Sequence, residues 1–200
     1  IFLDAASESP SKTIGNILIK IDSVLDKLKP DAILILGDTN SCLSAISAKK
    51  KKIPIFHYEA GNRCFDQRVP EETNRKIVDH IADMNLTYSN IARDYLLNEG
   101  LHPDRTIKIG SPMFEVLSSH KKTIEDSNIL DKLNLIKSKY ILISCHREEN
   151  VENKKNFRNL INIIEYLNNN FNYKIIVSVH PRIRDKINKI NRKNLKNVLF

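Results

Sequence analysis

Glycine is scarce in this chain, with five residues in 200, and the phosphate-binding loops that depend on it are missing. Neither GxGxxG nor GxxxxGK followed by Ser or Thr occurs, which excludes a dinucleotide fingerprint and a P-loop from these residues. Cysteine is limited to Cys42, Cys64 and Cys145, odd in number and without a CxxC pair, a pattern of reduced thiols rather than a disulfide framework or zinc site. No two of the six histidines stand in HxxxH or HExxH spacing, so neither a metal nor any other cofactor is expected. Tryptophan is absent and aromatics make up only 6% of the chain. That poverty argues against nucleic acid as a partner despite the net charge of +8, because a nucleic-acid face gathers its basic residues and interleaves aromatics. The one dense basic run, Lys49 to Lys52, falls at an expected helix C-terminus, where cations complement the macrodipole. No apolar run approaches the roughly 18 residues of a membrane span, and no signal-peptide pattern is present, so the expected setting is cytoplasmic with no membrane partner.

What the chain does have is the composition of a globular protein, 41% apolar and 28% charged, and a regular alternation of short Ile/Val-rich runs with longer amphipathic stretches. That alternation is the pattern of βα units feeding a parallel sheet, an α/β fold. Helices are predicted over Thr13–Leu28 behind Ser11, Thr39–Lys51, Glu71–Ile81, Asn90–Glu99, Asn153–Leu167 and Pro181–Ile190. Strands are predicted over Asp31–Gly37, Ile53–Tyr58, Met84–Tyr88, Thr106–Ile109, Tyr140–Ser144 and Tyr173–Val179. Gly100 is expected as a helix C′ residue, and Ser111-Pro112 as the cap and first residue of a short helix. The polar stretch 118–138 separates two αβ series, which places a domain boundary near residue 118 and gives domains 1–118 and 119–200. The chain opens on Ile1 rather than Met and closes on what reads as the start of a strand, so it is expected to be a segment of a longer protein.

In open α/β sheets ligands bind at the carboxyl ends of the strands, so the residues following each apolar run carry the functional information. Here they are polar: Asp38, Glu59, Ser111, His146 and His180. Acidic and imidazole side chains at strand ends suit a site that moves protons and holds an anionic ligand. Taken singly, Asp38 also has a purely structural role open to it, capping the helix that follows. Glu71 and Glu72, in the first turn of a helix, have a dipole role available, and Arg75 stands in ordinary i,i+4 relation to Glu71.

Taken together, these residues fall into motifs. Gly37-Asp38-Thr39, His57-Tyr58-Glu59-Ala60-Gly61-Asn62-Arg63, Pro70-Glu71-Glu72-Thr73-Asn74-Arg75, His146-Arg147-Glu148-Glu149-Asn150 and His180-Pro181 resemble, in order and spacing, the signature set of the non-hydrolysing UDP-N-acetylglucosamine 2-epimerases. The strings Glu59 to Glu72 and Gly110 to Glu115 are most similar to a branch that forms UDP-N-acetyl-L-fucosamine for capsule and O-antigen from UDP-2-acetamido-2,6-dideoxy-L-talose. Two motifs depart from the family's common pattern, which has His-Arg-Arg-Glu at residues 146–149 and Gly-Asn-Thr at residues 110–112.

The resemblance implies two Rossmann-like domains of GT-B-like architecture with the active site in the cleft between them, a UDP-sugar substrate and a homodimer. It also implies an isomerase that inverts C2 of a UDP-N-acetylhexosamine by eliminating UDP and adding it back. By the same resemblance Asp38, Glu59 and Glu71 supply carboxylates, and His146 contacts the UDP and assists its departure. Arg75, Ser111, Arg147 and His180 join Asp38, Glu59 and His146 as substrate contacts. A GT-B glycosyltransferase and a hydrolysing 2-epimerase are the alternative readings, since fold alone does not fix function.

Overall fold

The computed structural model describes residues 1–145, 153–179, 184–188, 190 and 195–200, which divide into two compact units, Ile1–Ser119 and His120–Phe200. The first unit runs α1 (Pro10–Leu28), β1 (Ile33–Leu36), a 3₁₀ turn (Asn40–Leu43), α2 (Ser44–Lys50), β2 (Ile55–Ala60), α3 (Pro70–Ile81), β3 (Met84–Thr87), α4 (Asn90–Asn98), β4 (Thr106–Lys108) and α5 (Met113–Ser119). The second runs α6 (Lys121–Glu125), α7 (Ile129–Lys132), β5 (Tyr140–Ser144), α8 (Lys154–Asn170), β6 (Lys174–Ser178), α9 (Arg184–Asn188) and β7 (Val198–Leu199). Both sheets are parallel, in the orders β1-β2-β3-β4 and β5-β6-β7. All carboxyl ends of each sheet therefore lie along one edge.

Local chemistry sets the element boundaries. The first helix starts earlier than the periodicity predicts: Ser9, not Ser11, accepts the Lys12 N–H at 3.2 Å, and Pro10 takes the first helical position, where its missing N–H costs nothing. Glycine ends α4, with Gly100 at φ +90° while its N–H and that of Leu101 return to the carbonyls of Leu97 and Leu96. The predicted helix over Thr39–Lys51 opens instead as the 3₁₀ turn and becomes α-helical only from Ser44. Thr39 offers no cap, its hydroxyl lying 2.8 Å from that of Ser41.

In the first unit Leu25, Ile35, Cys42, Leu43, Ala45, Ala48, Ile55 and Val78 form a core on one face of the sheet, each large side chain contributing about 1.5–3 kcal/mol of burial. Leu34, Leu36 and Ile107, on the opposite face, are exposed in the described structure. In the second unit Leu160 and Ile164 of α8 pack on Ile175 and Val177 of β6 and on Leu195.

Candidate active site

The carboxyl edge of the first sheet is built by an abrupt exit from β1 and a bulge in β2. Gly37, at φ +75°, turns the chain out of β1, and a Cβ there would meet Glu59 Oε2 at 3.3 Å, so the bare glycine admits the Glu59 side chain. The turn delivers Asp38 to α3. Arg75 Nη2 donates to Asp38 Oδ2, and Asn74 Nδ2 donates to the Asp38 carbonyl at 3.0 Å and to Asn40 Oδ1 at 3.1 Å. The Asp38 carboxylate is thus committed to a guanidinium rather than to capping the helix that follows it.

Glu59 was expected just after its strand, but β2 starts and ends later and contains it. The register against β3 slips between Tyr58 and Ala60, and Glu59 occupies the slip with φ +71°. A non-glycine residue held there costs on the order of 1–3 kcal/mol and persists only where the surroundings overdetermine it. Arg75 supplies part of that restraint, since Nη1 donates to the Glu59 carbonyl and Nη2 lies 3.8 Å from Glu59 Oε1. Asn62 Nδ2 also donates to Oε1, at 3.4 Å. One guanidinium, on a residue 7% exposed, therefore draws the two strand-end carboxylates together and offsets their charge.

Glu71 lies one turn before Arg75 on α3, close to the same face, and is exposed. The i,i+4 pair with Arg75 that the spacing suggests does not form, because the guanidinium is turned to Asp38 and Glu59. Ser111 follows β4, two strands from β2, where its Oγ accepts the Met113 N–H at 3.3 Å at the start of α5. His146, Arg147 and His180 lie outside the described residues.

Beneath the carboxylates runs a buried polar network that motif reading left unassigned. His57 Nε2 donates to the Gly37 carbonyl at 3.0 Å, and its Nδ1 is 2.7 Å from Asp79 Oδ1. Asp79 also accepts the Gly61 N–H, at 3.3 Å to both oxygens, and Arg63 Nη1 at 2.7 Å. Arg63 in turn forks onto Glu99, with Nε and Nη2 at 2.7 and 2.6 Å. Two residues after Pro70, in the first turn of α3, Glu72 accepts the Cys64 N–H at 2.9 Å.

The family model described as UDP-N-acetylglucosamine 2-epimerase matches residues 1–200. This chain belongs to that family. A UDP-N-acetylglucosamine 2-epimerase homolog of Methanococcus maripaludis is 42% identical over 94% of this chain and 52% of its own length. A UDP-N-acetylglucosamine 2-epimerase of known structure from Rickettsia bellii is 51% identical and superposes with a TM-score of 0.92 over 100% of this chain and 53% of its own. The Methanocaldococcus jannaschii UDP-GlcNAc 2-epimerase, solved in complex with UDP-GlcNAc and UDP, is 32% identical with a TM-score of 0.86 over 98% of this chain and 56% of its own. The chain thus spans about half the length of the 2-epimerases it matches.

Against that family background, the strand-end rule points to one further residue. Tyr88 directly follows β3, and its ring meets that of Tyr58 edge-on at 5.3 Å. Burial, then the nearby Glu59 charge and Tyr58, push its hydroxyl above the usual phenol range. Its signal in the sequence was its place at the end of an apolar run, where it reads as one more strand residue. An open cavity of about 630 Å³ lies elsewhere, in the second unit, lined by residues such as Asn134, Lys139, Phe171 and Tyr173. It sits at the amino ends of β5 and β6, and no acidic or imidazole side chain lines it.

Proposed function

We propose that this chain carries the proton-transfer groups of a non-hydrolysing UDP-N-acetylhexosamine 2-epimerase. The observation that carries the reading is the convergence of the Asp38 and Glu59 carboxylates on Arg75 at the carboxyl edge of a parallel sheet. The C2 hydrogen of such a sugar is not α to a carbonyl, so direct deprotonation is unproductive at neutral pH and elimination is the available route. One carboxylate removes the C2 proton, the C–H electron pair becomes the C1–C2 double bond, and the C1–O bond breaks with its pair going to the UDP oxygen. The resulting 2-acetamidoglycal is protonated at C2 from the opposite face while UDP adds back at C1. Asp38, Glu59 and Glu71 are assigned to proton transfer and to the cation-like charge at C1. His146, Arg147, His180, Ser111 and Arg75 are assigned to the UDP-sugar, with His146 assisting departure of the diphosphate. The candidate substrate pairs are UDP-GlcNAc with UDP-ManNAc, and UDP-2-acetamido-2,6-dideoxy-L-talose with UDP-N-acetyl-L-fucosamine, to whose branch the motif strings Glu59–Glu72 and Gly110–Glu115 are similar.

The test is turnover of the full-length protein in D2O with each nucleotide sugar and no acceptor. Deuterium at C2 of the product and positional isotope exchange at the bridging oxygen are expected. Product without C2 deuterium sinks the elimination route. Stoichiometric free UDP marks a hydrolysing enzyme instead, and turnover only with an added acceptor marks a transferase.

A further inference from the structure

We infer that Asp79, through His57 and the Gly61 amide, is a positioning residue that holds Glu59 in its left-handed conformation. The inference rests on the reading of Glu59 given above. His57 stands two residues before Glu59 and Gly61 two residues after it, and the same carboxylate takes both: His57 Nδ1 at 2.7 Å, the Gly61 N–H at 3.3 Å. A strand bound at both of these points and carrying one extra residue between them must bulge there, which is where the register slips and φ turns positive. His57 extends the clamp to the neighbouring strand end by donating to the Gly37 carbonyl, next to Asp38. Asp79 lies four residues beyond Arg75 on α3, so one helix face grips the carbonyl of Glu59 with Arg75 and its two flanks with Asp79.

Stability alone does not account for these groups. His57 and Asp79 are both fully buried, and a buried ionic or polar cluster is often no more stable than well-packed apolar side chains in its place. What the cluster supplies is fixed geometry around a strained residue, the usual arrangement where strain serves a site. Gly61 is part of the same device. It sits at φ +79°, and a Cβ there would run into the Ala92 carbonyl, whose carbon would lie only 2.9 Å away, so the amide that Asp79 grips is itself seated against α4.

The experiment uses the full-length enzyme. Asp79→Ala removes the clamp, and kcat is expected to fall about tenfold to a hundredfold with KM within about twofold, the signature of a displaced catalytic group rather than lost binding. Asp79→Asn is expected to recover kcat to within about threefold, because its amide oxygen can still accept the Gly61 N–H while its NH2 faces His57 Nδ1. Val78→Ala, a core truncation on the same helix, provides the purely structural comparison: a lower Tm with kcat unchanged. A crystal structure of Asp79→Ala reads the clamp whatever reaction the enzyme performs, and Glu59 is expected to leave the positive-φ region. Should Asp79→Ala not fold, His57→Phe keeps the buried volume while cutting one arm of the clamp, with the same two readouts. Glu59 unmoved in these variants, or kcat within twofold of the parent in Asp79→Ala, overturns the inference. Failure of the epimerase itself to exchange C2 hydrogen strikes the reaction assignment instead and leaves the crystallographic test standing.

Discussion

The two units obey the same rules of strand pairing and differ in what they bury. Across the covered face of the first sheet runs a row in register, Ile35, His57, Asn85 and Thr106, in which three of four residues are polar. The equivalent row of the second sheet is Ile141, Ile175 and Val198. Every buried polar or charged residue among those described, from Ser47 to Thr106, belongs to the first unit. The first sheet, whose carboxyl edge carries the candidate acids, thus departs from an apolar interior along this row. There His57 is bonded to Asp79, Asn85 Nδ2 donates to the Asp79 carbonyl at 2.9 Å and Thr106 Oγ1 to the His102 carbonyl at 3.1 Å, leaving Asn85 Oδ1 without a partner among the described residues. The second unit retains the plain aliphatic core of a parallel sheet.

The sharpest way to break this contrast is to remove the acids. Asp38→Asn and Glu59→Gln are each expected to lower kcat of the full-length enzyme by at least about a hundredfold, with circular dichroism and Tm near those of the parent. Near-normal turnover in Glu59→Gln would mean that the bulge serves only folding. The second unit should respond in the opposite sense. Ile175 of β6, fully buried in a cluster with Leu160 and Ile164 of α8, is expected to cost about 2–5 kcal/mol when truncated to Ala, read as a shift in urea midpoint, with kcat unchanged under native conditions. Between these lies Gly61→Ala, which combines a left-handed backbone with a collision against the Ala92 carbonyl, and which should cost at least about 1–3 kcal/mol and reduce kcat as well.

The sheet, the parallel order and the strand-end placement of Asp38 and Glu59 were legible because apolar periodicity and the topology of open sheets are local rules. The bulge was not. Ile53–Tyr58 reads as the apolar run, whereas pairing with β1 and β3 carries the strand on through Glu59 to Ala60. Arg75 illustrates a second limit, since spacing offers it Glu71 and the fold gives it Asp38, 37 residues away. Asp79 is the least visible. The stripe Glu72, Arg75, Asp79 on α3 has the look of a solvated helix face, and all three are buried because the segment 57–64 lays its own polar groups against them. Periodicity shows where a helix has a stripe, and only tertiary contacts show that a charged stripe faces inward.

The mildest test of the contrast is acid. Glu72 and Glu99 belong to the first unit. Burial pushes Glu72 up, but the Cys64 N–H and thiol and the Lys76 ammonium together outweigh it, so its carboxyl sits below the usual range. The Arg63 fork on Glu99, opposed by burial and helped by His80, holds that carboxyl below its ordinary value too. For both, the folded pKa lies beneath the unfolded value near 4.5, so the folded state binds fewer protons. The stability they lend is complete above that pH and is lost as the pH falls through the folded pKa. The aliphatic core described for the second unit has no such dependence. Hydrogen exchange followed by mass spectrometry, corrected for the intrinsic effect of pH, should therefore show protection in peptides of residues 55–99 weakening below about pH 4.5, while peptides of α8 and β6 hold theirs. Equal loss in both units would show that the buried charges of the first are matched by titrating groups in the second, and that the division of labour drawn here from burial does not extend to energetics.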